Sequence, residues 1–361
     1  LTQTIIFSCL STPILLILIP VGRWVLATAG LSAGEMAQAQ TYLTILMAGN
    51  ALDLFRQSFN GYFGGLGKTR VVLLSTFAMA IANVCANYIL IFGKLGFPAM
   101  GIMGAGYGTL FAWFVGLITL CVVYMKQIQF SEYQLLKSFQ LDMVILKKLV
   151  RFGLASGLRI TLLIFAIDLT ILAFQSYGVE VSTAITVIFT WFQTLFIPVI
   201  GLEIGTMSLA GRFVGARDLD SASDSVFSGL FLASAYALIL SLACLAVTPA
   251  MVELFLEPDS SVATRDLAIW GTQLNAFIMS ILAWSSILGG ALRGAGDTYG
   301  VMIISAGFWW LQYALVVILI HMFGLHPDEV LTIYVLSSPL LLIAMVIRFR
   351  SGAWRKFDLA S

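Results

Sequence analysis

The sequence predicts an all-α, polytopic membrane protein built as two pseudo-symmetric helix bundles, and three observations carry that expectation. Of 361 residues, 60% are hydrophobic and 10% charged, with a mean hydropathy of +0.99, far more apolar surface than a water-soluble core requires. Apolar runs of about 20 residues or more recur, the length an α-helix needs to cross roughly 30 Å of hydrocarbon. Two glycine-rich turns also match at one offset of 229: Gly61, Gly65, Gly67 and Thr69 in "NGYFGGLGKT" against Gly290, Gly294, Gly296 and Thr298 in "LGGALRGAGDT". A membrane barrel would instead show short runs of alternating polarity.

Ten spans follow in chain order. The first, 3–28, carries only Arg23 near its end, and the second, 38–64, stops at the first glycine turn beside Lys68 and Arg70. Spans 71–93 and 102–126 flank a loop with Lys94, and Lys126 ends the fourth. A polar segment, 127–149, separates these from six more: 150–176, 181–211, 224–250, 266–292, 299–322 and 329–349. Arg212 and Arg217 follow the sixth span, Arg265 precedes the eighth, Arg293 sits at the second glycine turn, and Arg348 and Arg350 close the tenth.

Orientation follows from charge. Fourteen of the nineteen Lys and Arg fall in one alternating set of loops, three in the other, and Arg56 and Arg159 inside spans. Basic residues resist translocation, so the 127–149 linker, both glycine turns and the C-terminus are expected in the cytoplasm of a multi-pass cell-membrane protein. The expected organisation is a four-helix N-terminal lobe (1–126), a cytoplasmic linker (127–149) and a six-helix C-terminal lobe (150–361). If the two lobes are equivalent, the 229 offset implies two further helices before Leu1. Parallel repeats of this kind are a common transporter plan. The glycines would stop a helix and allow a tight turn, because glycine reaches left-handed angles without a Cβ clash.

Other classes lack their signatures. The net charge is +1 with no basic stripe, which argues against a nucleic-acid partner. Cys9, Cys85, Cys121 and Cys244 lie in apolar runs without ligand spacing and are expected to be buried small hydrophobes. His321 and His326 bracket a short loop without partners, so no metal is expected. "GYFGGLGKT" has the wrong spacing for a phosphate loop and follows an apolar helix rather than a strand, and "GIMGAGYGT" lacks the dinucleotide pattern.

Four stretches, "NYILIFGKLGFPAMGIMGAGYGT" at 87–109, "GLASG" at 153–157, "FIPVIGLEIGTMSLAGRFVGARD" at 196–218 and "LRGAGDT" at 292–298, resemble the multidrug and toxic compound extrusion (MATE) family. The resemblance covers helices three to twelve of the usual twelve. It implies a two-lobed exporter in which sodium or proton entry drives efflux of amphipathic organic cations by rocking of the lobes.

A charge at membrane depth costs a few kcal/mol or more, so the spans' charges are the candidate functional groups. Asp53, Arg56 and Gln57 share one helix face, about 15 to 20 Å from the glycine turn. They form either an ion pair that lowers insertion cost or one that also changes partners during transport. Some family members carry an acid eleven positions before the "LRG" arginine; here that residue is Leu282, and its repeat mate is Asp53. Asp168 lies among apolar residues in "LLIFAIDLTILAF" and is either a coupling or substrate carboxylate or a polar bond to a neighbouring helix; the family's seventh-helix acid would fall at Leu163 instead. Glu203, five residues after Pro198, is either a proton carrier or a kink-stabilising hydrogen-bond partner. Asn83 and Asn87 offer two amide oxygens to a hard cation or to helix packing; the resemblance places Asn87 where one family branch has an aspartate.

Tyr107, Trp191 and Phe192, with Trp309, Trp310 and Tyr313, present π-faces that suit a cationic drug or, equally, lipid and packing. The sequence thus points to a monomeric antiporter of small amphipathic cations, coupled to H+ or Na+, without cofactor or enzymatic activity. A related lipid-linked oligosaccharide flippase would need a basic cavity, whereas the spans show an excess of acids. A membrane-embedded enzyme would need converging nucleophile or metal motifs, and none is visible.

Overall fold

The computed structural model describes residues 1–27, 32–128, 141–256, 260–352 and 354, and these are helical throughout apart from short turns. Eleven helices follow in order: α1 Thr2–Ala27, α2 Ala33–Gly65, α3 Thr69–Phe92, α4 Ile102–Ile128, α5 Met143–Phe174, α6 Val179–Gly215, α7 Leu219–Glu253, α8 Val262–Gly294, α9 Thr298–His321, α10 Pro327–Leu336 and α11 Pro339–Arg350. Among the described residues, nine helical segments are long and apolar enough to cross a membrane, with α10 and α11 together forming one. The remaining long helix, α2, is not among the nine. Glu35, Asn50, Asp53, Arg56, Gln57 and Asn60 interrupt its apolar runs.

The 229 offset is reproduced residue for residue in the backbone. It carries α2 onto α8 and α3 onto α9 with identical ends. Ser32 and Ser261 are the equivalent N-caps, each hydroxyl accepting a backbone N–H, and Glu35 completes a capping box on Ser32. After α2 and α8 the chain turns through Gly67 (φ 70°) and Gly296 (φ 97°), with Lys68 N donating to Phe63 O and Asp297 N to Leu292 O at 2.8 and 2.9 Å. This six-to-one bond with a left-handed residue is the Schellman stop that glycine permits without strain. The turn after α6 has the same bond, Asp218 N to Phe213 O at 2.9 Å, but places Arg217 at φ 60°.

Two compact units divide the chain, Leu1–Val150 and Arg151–Ser361, with the boundary inside α5. In the first, α1 meets α2 where Ser8 and Ser58 hydroxyls lie 3.0 Å apart, and α3 meets α4 where Ser75 donates to the Gly116 carbonyl at 2.9 Å. In the second, α8 is the central helix: 61% of its most apolar window is buried, against 39% or less in the other spans. Ile188, Ile287, Leu292 and Leu331 form part of the core around it.

Glycines let α6 and α8 run in contact. A Cβ on Gly290 would lie 2.7 Å from the Glu203 carbonyl oxygen, one on Gly211 2.9 Å from that of Gly294, and one on Gly294 would overlap the Met207 carbonyl. Gly294→Ala is therefore expected to cost about 1–3 kcal/mol. A lower thermal unfolding midpoint in detergent checks this, and an unchanged midpoint contradicts the close approach.

Several expectations need adjustment. Helix α5 begins at Met143 rather than 150, because Asp142 accepts from the N–H groups of Val144 and Ile145 and starts the helix early. The 129–140 part of the expected linker, including Lys137, lies outside the described residues, as do Arg355 and Lys356. The tenth span breaks at Ser337 and Ser338, before Pro339. There the buried Gln312 side chain donates to the Tyr334 carbonyl and the Ser337 hydroxyl at 2.9 and 2.8 Å. Of the cysteines, all free, only Cys244 is buried, whereas Cys9 and Cys85 are exposed on helices that place few residues inside.

Candidate functional site

The second unit gathers charge around Glu203 on α6. Pro198 lies inside that helix, five residues before Glu203. Glu203 reaches across to α8, where Arg293 Nη2 donates to Oε1 and the Ser286 hydroxyl to Oε2. Gly290 makes this possible, since a Cβ there would also sit 2.9 Å from Glu203 Cγ. Arg159, midway along α5, brings Nη2 to 3.9 Å from Oε1. The three charged side chains are 10–16% exposed, so two guanidiniums share one largely buried carboxylate.

Sequence reasoning assigned Arg293 to a loop. The structure puts it in the last turn of α8, its Nε donating to the Gly289 carbonyl at 3.3 Å, with its side chain turned back along the helix. Long arginine stems allow such a reach.

In the first unit, Asp53 and Arg56 pair within α2 at 2.6 Å, and Arg56 Nε also donates to Asp53 at 2.7 Å. Gln57 donates to Asp53 at 3.5 Å and accepts from Asn60 at 3.3 Å. Arg56 is buried against Gly116 of α4, where a Cβ would approach its Cδ to 3.0 Å. The repeat mate of Gln57 is Ser286, so the same level of both helices carries polar side chains. Asn87 donates to Asn83 at 3.2 Å, which consumes one of the two expected amide oxygens. The other, Asn87 Oδ1, packs over Gly108 and has no hydrogen-bond donor among the described residues.

Asp168 contradicts the expected bond to a neighbouring helix. It is exposed, on the face of α5 opposite the buried Ala166 and Thr170, and makes no hydrogen bond or ion pair among the described residues. The expected excess of acids is cancelled: Asp53, Asp168 and Glu203 are matched by Arg56, Arg159 and Arg293. No group of three His, Cys, Asp or Glu among the described residues could hold a metal ion.

The MatE family model matches residues 160–318, which include Asp168, Glu203 and Arg293. The Uncharacterized transporter YisQ of Bacillus subtilis (strain 168) is 26% identical over 301 residues, 82% of this chain and 64% of its own. The Probable multidrug resistance protein NorM of Thermotoga maritima is 25% identical over 305 residues, 81% of this chain and 62% of its own. The chain thus spans somewhat under two thirds of the length of these relatives. The crystal structure of MATE in complex with MaL6 superimposes with a TM-score of 0.88 at 20% identity, covering 98% of this chain and 79% of that one. The chain is thus similar to the MatE family over residues 160–318 and shares the fold of the solved MATE structures.

Within this fold, the aromatic candidates are mostly engaged. Trp191 donates to the Met251 carbonyl at 3.0 Å and packs edge-on to Phe255 at 5.3 Å. Phe192 lies against Phe196 at 5.5 Å and the core, Trp309 packs on Phe308, and Trp310 on Tyr313. Tyr107 is exposed.

Sequence reasoning missed a groove of about 590 Å³ along the first half of α6, lined by Ser182, Thr183, Thr186, Thr190, Gln175 and Phe255. The three threonine hydroxyls donate to carbonyls one turn back at 2.7–2.9 Å. Their lone pairs therefore face the groove as acceptors. The signal was present as hydroxyl residues at every fourth position, 182, 186, 190 and 194.

Proposed function

We propose that the chain belongs to a secondary active antiporter that exports amphipathic organic cations or drugs across the cell membrane in exchange for H+ or Na+, with its C-terminus in the cytoplasm. Asp168 carries this reading. An exposed carboxylate without a protein partner among the described residues, in the apolar second half of α5, needs water, a proton, a metal cation or an organic cation beside it. The acceptor-lined groove with Phe255 suits the same kind of ligand, offering oxygen atoms and a π-face to an ammonium group. With Arg293 set aside, thirteen of the nineteen basic residues still fall in the loops of one side and support the orientation. The transporter works as a monomer, and neither cofactor nor enzymatic step enters this scheme.

The test is ethidium efflux from cells expressing the full-length protein, under a sodium gradient and a proton gradient separately. One gradient is expected to drive efflux, and Asp168→Asn to reduce it to background while leaving membrane insertion intact. Efflux under neither gradient overturns the antiport; wild-type rates in Asp168→Asn remove that residue from it.

A further inference from the structure

Arg159 has more hydrogen-bonding capacity than its surroundings use. It lies at the middle of α5, about 24 Å from either end at 1.5 Å per residue, with a side chain 16% exposed. Its Nε is buried and finds no acceptor among the described residues. Its one ion-pair contact among the described residues, to Glu203 Oε1 at 3.9 Å, is about 1 Å longer than a charge-assisted hydrogen bond. Glu203 accepts instead from Arg293 and Ser286, one on each oxygen, and leaves Arg159 at the longer distance. Two guanidiniums therefore face one carboxylate, and the cluster keeps a positive charge where charge is costly.

We infer that Arg159, beside Arg293, is a binding site for a single anionic oxyanion headgroup, a carboxylate, sulfonate or phosphate carried on an apolar body. The planar guanidinium fork matches two such oxygens at once. An anion there would neutralise the excess charge and satisfy Nε without displacing Glu203 from Arg293. This goes beyond the export of cations and does not depend on it. The headgroup comes from a soluble amphiphile or from a membrane phospholipid.

Equilibrium dialysis of naphthalene-2-sulfonate against the purified full-length protein in dodecyl maltoside tests the site. Saturable binding of one probe per chain is expected, with affinity reduced about tenfold or more in Arg159→Gln, as for loss of a hydrogen bond to a charged group. Arg159→Lys, which keeps the charge but not the fork, should fall between them. Displacement by added phosphatidylglycerol identifies the lipid as the source, and its absence a soluble amphiphile. Equal binding by wild type and Arg159→Gln, or no saturable binding by wild type, overturns the inference. Benzyltrimethylammonium binding and ethidium efflux, measured on the same proteins, keep the two ideas apart. Lost efflux with intact sulfonate binding sinks only the cation-export reading.

Discussion

Arg293→Ala is expected to destabilise the second unit by about 3 kcal/mol and to abolish efflux. Removing one partner of a buried ion pair leaves the other charge uncompensated, at a cost of about 3–5 kcal/mol. The lower end applies because Arg159 stands 3.9 Å from Glu203 and can close part of the gap. Thermal unfolding in detergent measures the loss. The double variant Arg293→Ala with Glu203→Ala should recover most of the stability, since neither charge is then stranded, yet should not recover transport. A double variant as unstable as the single one would show that packing, not charge, dominates at this crossing.

Asp53→Asn is expected to have the second largest effect, lowering stability by about 2 kcal/mol, less than a fully buried pair would lose. Arg56 is 9% exposed in its side chain and would lose its only carboxylate partner among the described residues, whereas Asp53 itself is 21% exposed and partly solvated. Efflux should fall to background. Exchanging the two residues, Asp53→Arg with Arg56→Asp, separates the two roles open to the pair. A purely structural pair regains both stability and efflux when swapped; a carboxylate that must sit at residue 53 regains stability alone. Efflux measured beside the unfolding midpoint decides between them.

Much of the helical plan was legible because hydrophobic runs and basic loops report directly on membrane crossing. The glycine repeat was legible because the Schellman turn demands a left-handed residue, and α2 and α8 share their ends as a result. What stayed hidden depended on direction and reach. Arg293 read as a loop residue because sequence position says nothing about a side chain that turns back to Glu203. The spans showed more acids than internal bases for the same reason. Asp168 and Thr170 are two residues apart, yet α5 points one outward and the other inward, a phase that an all-apolar neighbourhood does not reveal. Pro339 was visible, but the break before it needs Gln312 of α9 to hold the Tyr334 carbonyl, a pairing between distant segments.

Coupled transport by this chain's charged side chains is tested most directly by reconstituting the full-length protein into liposomes and following ethidium accumulation after imposing a proton or sodium gradient. The account predicts uphill accumulation under one of the two gradients, its collapse by the matching ionophore, and its absence in Asp168→Asn. Equal ethidium movement with and without a gradient, or uphill accumulation undiminished in Asp168→Asn, would contradict it.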